Sequence, residues 1–65
     1  MQIDLNGSQC DIGATTLAEA LTELGYGGAA LATALNGAFI AATARPTTPL
    51  HDGDRVEVLT PMQGG

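Results

Sequence analysis

Two short runs near the start of the chain alternate between apolar and polar residues, which is the period of a β-strand. Their apolar residues occupy every second position: Met1, Ile3, Leu5, Cys10 and Ile12. Asn6-Gly7 lies between the runs, and this pair accepts the positive φ angles of a two-residue type I′ turn. The pattern therefore predicts a β-hairpin whose apolar rows face one core.

The next run has the period of an α-helix. Four apolar residues recur at the spacing i, i+3, i+4 and i+7: Leu17, Ala20, Leu21 and Leu24. Thr16 and Glu19 have capping-box spacing, in which the hydroxyl accepts from the Glu19 N–H and the carboxylate reaches back to the Thr16 N–H. Gly25 suits the position that ends a helix. Glu19 and Glu23 fall on the opposite face, where a solvated surface is more common than a catalytic or metal-binding pair.

A second Asn-Gly pair, Asn36-Gly37, predicts another hairpin between strands at 31–35 and 38–42. A two-residue turn sets two cross-strand pairs, Leu35 with Ala38 and Thr33 with Ile40. In this register Phe39 points away from the core, among alanines, and an exposed apolar patch of this kind is a candidate docking surface. A shift of one residue would reverse the faces and make Phe39 a core residue.

The stretch after the second hairpin contains loop and turn residues. Residues 45–50 are rich in Pro and Thr and predict a crossing loop. His51-Asp52-Gly53-Asp54 predicts a turn that leads into the last strand. Its two aspartates could suggest a cation site, but the further oxygen ligands of such a site are missing from the pattern, so the turn is the better interpretation and no metal is expected.

Residues 55–60 alternate again and predict the final strand. We expect Val56 and Val58 to face the core, and Glu57 and Leu59 to face outward. Pro61 cannot donate a ladder hydrogen bond and should release the remaining residues from the sheet.

The order strand, strand, helix, strand, strand, loop, strand is typical of a two-layer α+β domain. A helix inserted after a hairpin favours a β-grasp, the ubiquitin-like fold, with a mixed sheet of about five strands and one helix packed on one face. We expect residues 1–60 to form this domain and residues 61–65 to be a flexible tail. A chain of 65 residues buries only about 60% of its unfolded surface and has no room for a deep active site, so we expect it not to be an enzyme.

Charge and cysteine content narrow the partners and the compartment. Seven carboxylates against two arginines give a net charge of −5, which argues against nucleic acid and anionic membranes and favours a basic protein partner. The single cysteine, Cys10, excludes an internal disulfide and is expected to be a small inward-facing hydrophobe rather than a nucleophile. With no leader and no apolar run long enough to span a bilayer, we expect a reducing, cytoplasmic setting.

The chain ends in Gln63-Gly64-Gly65. Two residues without Cβ atoms can thread a narrow active site and leave the Gly65 carbonyl open to attack. A Gly-Gly end contributes nothing to a core, so Gly64 and Gly65 make sense mainly if another protein grips the terminus. A frayed end is the alternative interpretation.

Several of these features together resemble the ThiS family of thiamine-pathway sulfur carriers. They are the Asn6-Gly7 hairpin, the Thr16-capped helix, Leu35-Asn36-Gly37, and the run from Leu50 through Asp52-Gly53-Asp54 to Thr60 that leads to Gln63-Gly64-Gly65. The resemblance covers nearly the whole chain, and the ending is its most specific part. Residues 41–49 depart from the family pattern, because they lack the Pro-Arg and aromatic residues common there.

The resemblance implies a carrier that is a co-substrate of other enzymes. A ThiF-like adenylyltransferase would activate the Gly65 carboxylate with MgATP, a cysteine desulfurase relay would supply sulfur for a thiocarboxylate, and thiazole synthase would receive it. The chain itself is expected to bind no cofactor. The residues expected to bind partners are Phe39, Leu59, Met62 and Gln63. The alternatives are a MoaD-like small subunit of molybdopterin synthase, a sulfur carrier of another pathway, a ubiquitin-like protein modifier, or a purely structural domain.

Overall fold

A computed structural model describes residues 1–27 and 30–60. The first hairpin consists of β1 (Gln2–Leu5) and β2 (Ser8–Asp11), and helix α1 (Leu17–Glu23) follows it. The second hairpin consists of β3 (Ala32–Leu35) and β4 (Ala38–Ile40). A 3₁₀ helix (Ala42–Thr47) then leads to the last strand, β5 (Arg55–Leu59). None of the helices in the described ranges is long and apolar enough to cross a membrane.

The five strands form one mixed sheet in the order β2-β1-β5-β3-β4. Both hairpins are antiparallel, whereas β5 runs parallel to β1 and antiparallel to β3. The last strand therefore joins the two hairpins through the middle of the sheet. Together with α1 on one face, this arrangement confirms the predicted β-grasp.

Both Asn-Gly pairs form the predicted turns. Asn6 and Asn36 have φ angles of 51° and 50°, and the glycines that follow them have φ angles of 88° and 87°, as a type I′ turn requires. The register of the second hairpin is also the predicted one, with Leu35 opposite Ala38 and Thr33 opposite Ile40. Both strands are shorter than the predicted ranges 31–35 and 38–42, since β3 begins at Ala32 and β4 ends at Ile40.

The core lies between α1 and the helix-facing side of the sheet. Its buried apolar residues are Ile3, Ile12, Ala14, Leu17, Ala20, Leu21, Leu50, Val56 and Val58. Leu24, the fourth residue of the predicted helical stripe, and Cys10 pack against this cluster as partly buried residues. The stripe on α1 and the inward rows of the hairpins therefore cover each other as the alternation predicts, except at Met1, which is 36% exposed. Each large buried side chain contributes about 1.5–3 kcal/mol.

The cap of α1 differs from the prediction in one contact. The Thr16 hydroxyl accepts from the Glu19 N–H at 3.2 Å as expected. The strongest donors to the Glu19 carboxylate, however, are the N–H and the hydroxyl of Thr15, at 3.1 and 3.0 Å, and the predicted interaction with the Thr16 N–H is weaker. Thr15 offers two donors that converge on one oxygen, and these two hydrogen bonds lower the pKa of Glu19.

The predicted crossing loop at 45–50 is wrong over its first half, where the chain forms the 3₁₀ helix Ala42–Thr47. Arg45 fastens this helix to β3. Its Nε donates to the Thr33 hydroxyl at 3.0 Å and its Nη2 donates to the Leu31 carbonyl at 2.8 Å. Thr33 is only 2% exposed and donates in turn to the Ile40 carbonyl. These long-range contacts add to hydrogen bonds within the segment, where the hydroxyls of Thr47 and Thr48 donate to the Ala44 carbonyl.

Replacement of Arg45 by Met should lower the free energy of unfolding by about 1.5–3 kcal/mol, because charged hydrogen bonds to partly buried groups are lost while the apolar stem remains. The matched control is Arg55→Met. The Arg55 side chain is 57% exposed and its nearest carboxylate oxygen, on Glu57, is 3.9 Å away, so its loss should cost less than about 1 kcal/mol. Urea unfolding measures both variants. Equal losses would show that Arg45 does not fasten the 3₁₀ helix.

Candidate functional site

The candidate site is the end of β5 and the sheet surface around it, since this strand leads toward the Gly-Gly end. The alternation of β5 is the predicted one, with Val56 and Val58 buried and Glu57 and Leu59 exposed. Met62, Gln63, Gly64 and Gly65 lie outside the described residues. The described part of the site therefore consists of the contacts that hold β5 in place and the sheet surface beside this strand.

The turn at 51–54 sets the start of β5. Gly53, with a φ of 88°, donates its N–H to the Gln2 carbonyl at 2.7 Å. The Asp54 carboxylate accepts from Asn36 Nδ2 at 3.0 Å and from the His51 N–H at 2.8 Å. These two hydrogen bonds, with the Asn36 contribution the larger, lower the pKa of Asp54. The two Asp54 oxygens thus accept from a backbone donor within the turn and from the side chain of Asn36, as the turn interpretation predicts.

The two turn asparagines have a role that the sequence analysis missed. Asn6 and Asn36 were expected only to supply positive φ angles, yet both side chains bond the backbone of β5. Asn36 Oδ1 accepts from the Arg55 N–H at 2.9 Å, and Asn6 Oδ1 accepts from the Val58 N–H at 2.8 Å. No local signal marks this role, because Asn-Gly is already a preferred pair of the type I′ turn.

The face of the sheet opposite α1 carries the predicted apolar residues. Phe39 is 72% exposed and Leu59 is 71% exposed. Phe39 lies opposite Ala34, and Leu59 lies opposite Ala32, so all four side chains share the face away from the helix. We call these four residues the apolar patch. The register-shifted alternative, with Phe39 in the core, is excluded by this exposure.

The other half of the same face is polar. The outward residues of β1 and β2 are Gln2, Asp4, Gln9 and Asp11, which pair across the hairpin. Arg55 and Glu57 lie on β5 between the two halves, with Arg55 Nε 3.9 Å from Glu57 Oε1. The N-terminal ammonium lies 3.6 Å from Asp11 Oδ1, so this half carries charges of both signs. The face therefore presents an apolar patch beside a polar, charged surface.

An apolar groove of about 370 Å³ lies where the chain leaves β5. Its lining residues are Ala30, Leu31, Ala32, Leu59 and Thr60. Leu59 and Ala32 belong to both the groove and the apolar patch, so apolar surface continues from the sheet face to the last described residue, Thr60.

The fold and the sequence after the last strand define the class: a small β-grasp protein whose central strand, β5, is followed in sequence by a Gly64-Gly65 pair. The model of the ThiS family matches residues 3–65, and the chain belongs to this family.

Individual relatives agree with this membership. The chain is 41% identical over 61 residues to the sulfur carrier protein ThiS of Thermus thermophilus. The matched residues cover 94% of this chain and 95% of the relative. It superposes on the crystal structure of the thiamine biosynthesis protein (ThiS) from Geobacter metallireducens with a TM-score of 0.84, at 33% identity and 100% coverage of both chains. The match to the NMR solution structure of a thiamine biosynthesis protein from the same organism has a TM-score of 0.81, 29% identity, and coverage of 100% of this chain and 88% of that one.

Proposed function

We propose that this protein is a sulfur carrier of thiamine biosynthesis whose reactive group is the Gly65 carboxylate. The observation that carries the proposal is the ThiS family match, which covers residues 3–65 and so includes Gly65. The relative from Thermus thermophilus is named a sulfur carrier protein. The function of this chain is then to present its terminus to partner enzymes and not to catalyse a reaction itself.

The chemistry explains why such a carrier needs an activating partner. A carboxylate is a poor electrophile, so a sulfur nucleophile cannot displace one of its oxygens directly. A ThiF-like adenylyltransferase that binds MgATP would join the Gly65 carboxylate to AMP with release of pyrophosphate. The terminal sulfur of a persulfide on a cysteine desulfurase relay would then displace AMP and form an acyl disulfide. Attack of a thiol on the relay's sulfur would break the S–S bond, leave a disulfide on the relay and release the thiocarboxylate, which thiazole synthase would consume. ATP and magnesium belong to the partner in this scheme, and no cofactor is proposed for this chain.

The apolar patch is proposed as the surface that partners bind, together with Met62 and Gln63 near the terminus. Phe39 and Leu59 are more than two-thirds exposed on one sheet face, and exposed apolar surface of this kind is typical of interaction sites. Gly65 follows Leu59 by six residues, so an extended tail would reach about 20 Å beyond the patch. A partner that grips the patch can therefore receive the terminus in an active site about that far away.

The function is tested by intact-mass spectrometry after co-expression with the ThiF-like enzyme and a sulfur source. The chain should gain the mass difference between sulfur and oxygen, and fragmentation should localise the gain to Gly65. The Cys10→Ser variant is the control, since it removes the thiol in the chain and should gain the same mass. An unchanged mass with a competent activating enzyme, or a gain that depends on Cys10, would overturn the proposal. Covalent protein adducts that survive reductant would instead favour a ubiquitin-like modifier.

A further inference from the structure

The end of β5 extends beyond the backbone of its neighbour β1, so the Val58 N–H and carbonyl need another hydrogen-bond partner on that side. Its parallel partner β1 pairs with it only as far as Leu5, which lies opposite Val56. The Asn6 N–H then donates to the Val56 carbonyl at 3.0 Å. Beyond this point the chain turns away at Asn6-Gly7. Val58, two residues further along β5, has therefore passed the end of the β1 backbone.

The Asn6 side chain takes the place of the missing backbone. Its Oδ1 accepts from the Val58 N–H at 2.8 Å and its Nδ2 donates to the Val58 carbonyl at 3.1 Å. A carboxamide offers one acceptor and two donors, so it can stand in for one further peptide group of β1. On the other side β3 pairs with β5 as far as Leu59. The strand is thus held on both sides until one residue before its end.

We propose that Asn6 is a positioning residue for delivery of the C-terminus to the activating enzyme, an inference that rests on the proposed function. By extending the β1–β5 ladder to Val58, Asn6 sets the direction in which the chain leaves the sheet relative to the apolar patch. Without this anchor the end of β5 would loosen on its β1 side, so the point at which residues 61–65 begin would vary in position relative to a docked apolar patch. A displacement of about 1 Å at a reacting group can cost up to a hundredfold in rate.

Asn36 provides a matched control. It has nearly the same φ angle as Asn6, it precedes a glycine, and its side chain also bonds β5, but at Arg55, the first residue of the strand. The variants Asn6→Gly and Asn36→Gly both keep a residue that tolerates positive φ, and each removes the hydrogen bonds of one carboxamide to β5. They should lower the melting temperature by similar amounts of a few degrees.

The experiment measures carrier-dependent exchange of pyrophosphate into ATP by the ThiF-like enzyme. For Asn6→Gly we expect a kcat about tenfold lower with a KM for the carrier within about twofold, because docking through the apolar patch is retained while presentation of Gly65 is not. Asn36→Gly should retain the kcat of the unmodified chain. Asn6→Asp keeps the acceptor for the Val58 N–H but sets a carboxylate oxygen against the Val58 carbonyl, so its kcat should also fall below that of the unmodified chain.

Amide hydrogen exchange gives a readout that does not depend on activation. Asn6→Gly should accelerate exchange at Val58 and leave Arg55 unchanged, and Asn36→Gly should do the reverse. Equal kcat losses in the two glycine variants, or an unchanged kcat or unchanged Val58 exchange in Asn6→Gly, would overturn the positioning role. If the unmodified chain is not activated at all, the proposed function is wrong. The exchange data then still test whether Asn6 protects the Val58 amide.

Discussion

Addition of one glycine after Gly65 should abolish formation of the thiocarboxylate. The carbonyl to be activated would move by about 3.5 Å relative to a docked domain, which is the length of one extended residue. An adenylation site that holds two glycines has no slack of that size, because reacting atoms must approach to about 3–3.5 Å in line. The expected loss is at least a hundredfold, since the patch still docks but the reactive carbon is out of place.

Gly65→Ala is the graded comparison for this extension. It leaves the carboxylate at the same distance from β5 and adds one methyl group in a channel suited to glycine, so it should slow the modification without abolishing it. Intact-mass spectrometry over a time course distinguishes the two variants, and the melting temperature of each should match that of the unmodified chain. Normal modification of the extended chain would contradict the assignment of Gly65 as the reactive residue.

Phe39→Asp should weaken binding of the ThiF-like partner about 30-fold, which corresponds to ~2 kcal/mol, because buried aromatic anchors contribute this much in protein interfaces. Stability should change by less than about 1 kcal/mol, since the side chain is 72% exposed in the free protein and the change occurs on an edge strand. Isothermal titration calorimetry of the carrier with the partner measures the first effect, and thermal unfolding measures the second.

Ala38→Asp is the control for the added charge. Ala38 is exposed on the same strand, but it precedes Phe39 by one residue and so points to the other face. Both variants make the chain more acidic by the same amount, and only Phe39→Asp changes the apolar patch. If both weaken binding equally, long-range charge and not the patch governs the affinity. If Phe39→Asp instead lowers the melting temperature by many degrees, its role is structural.

Local rules predict much of the hairpins and the helix because the information lies within a few residues. Asn36-Gly37 predicts both the turn and the register of β3 with β4, since a two-residue turn leaves one way to pair the flanking residues. The exposure of Phe39 follows from that register. Thr16 likewise marks the start of α1 because its hydroxyl bonds an N–H only three residues away.

The 3₁₀ helix after β4 is the clearest failure of local prediction. Residues rich in Pro and Thr resemble a loop, and the conformation depends on Arg45 meeting Thr33 and the Leu31 carbonyl. The partners are 12 and 14 residues away in the chain. The positions of these partners are known only once β3 is placed in the sheet, so the contribution of Arg45 cannot be predicted from residues 41–49 alone.

The sequence by itself determined the two hairpins, the capped helix and the alternation of the last strand, because period and turn chemistry act over short distances. The tertiary structure decided how the last strand is held. Asn6 and Val58 are 52 residues apart in the chain, and their hydrogen bonds exist only because β5 enters the sheet beside β1. The carboxamide that local rules assign to a turn thus becomes part of the β5 ladder, through a contact that depends on the order of strands in the sheet.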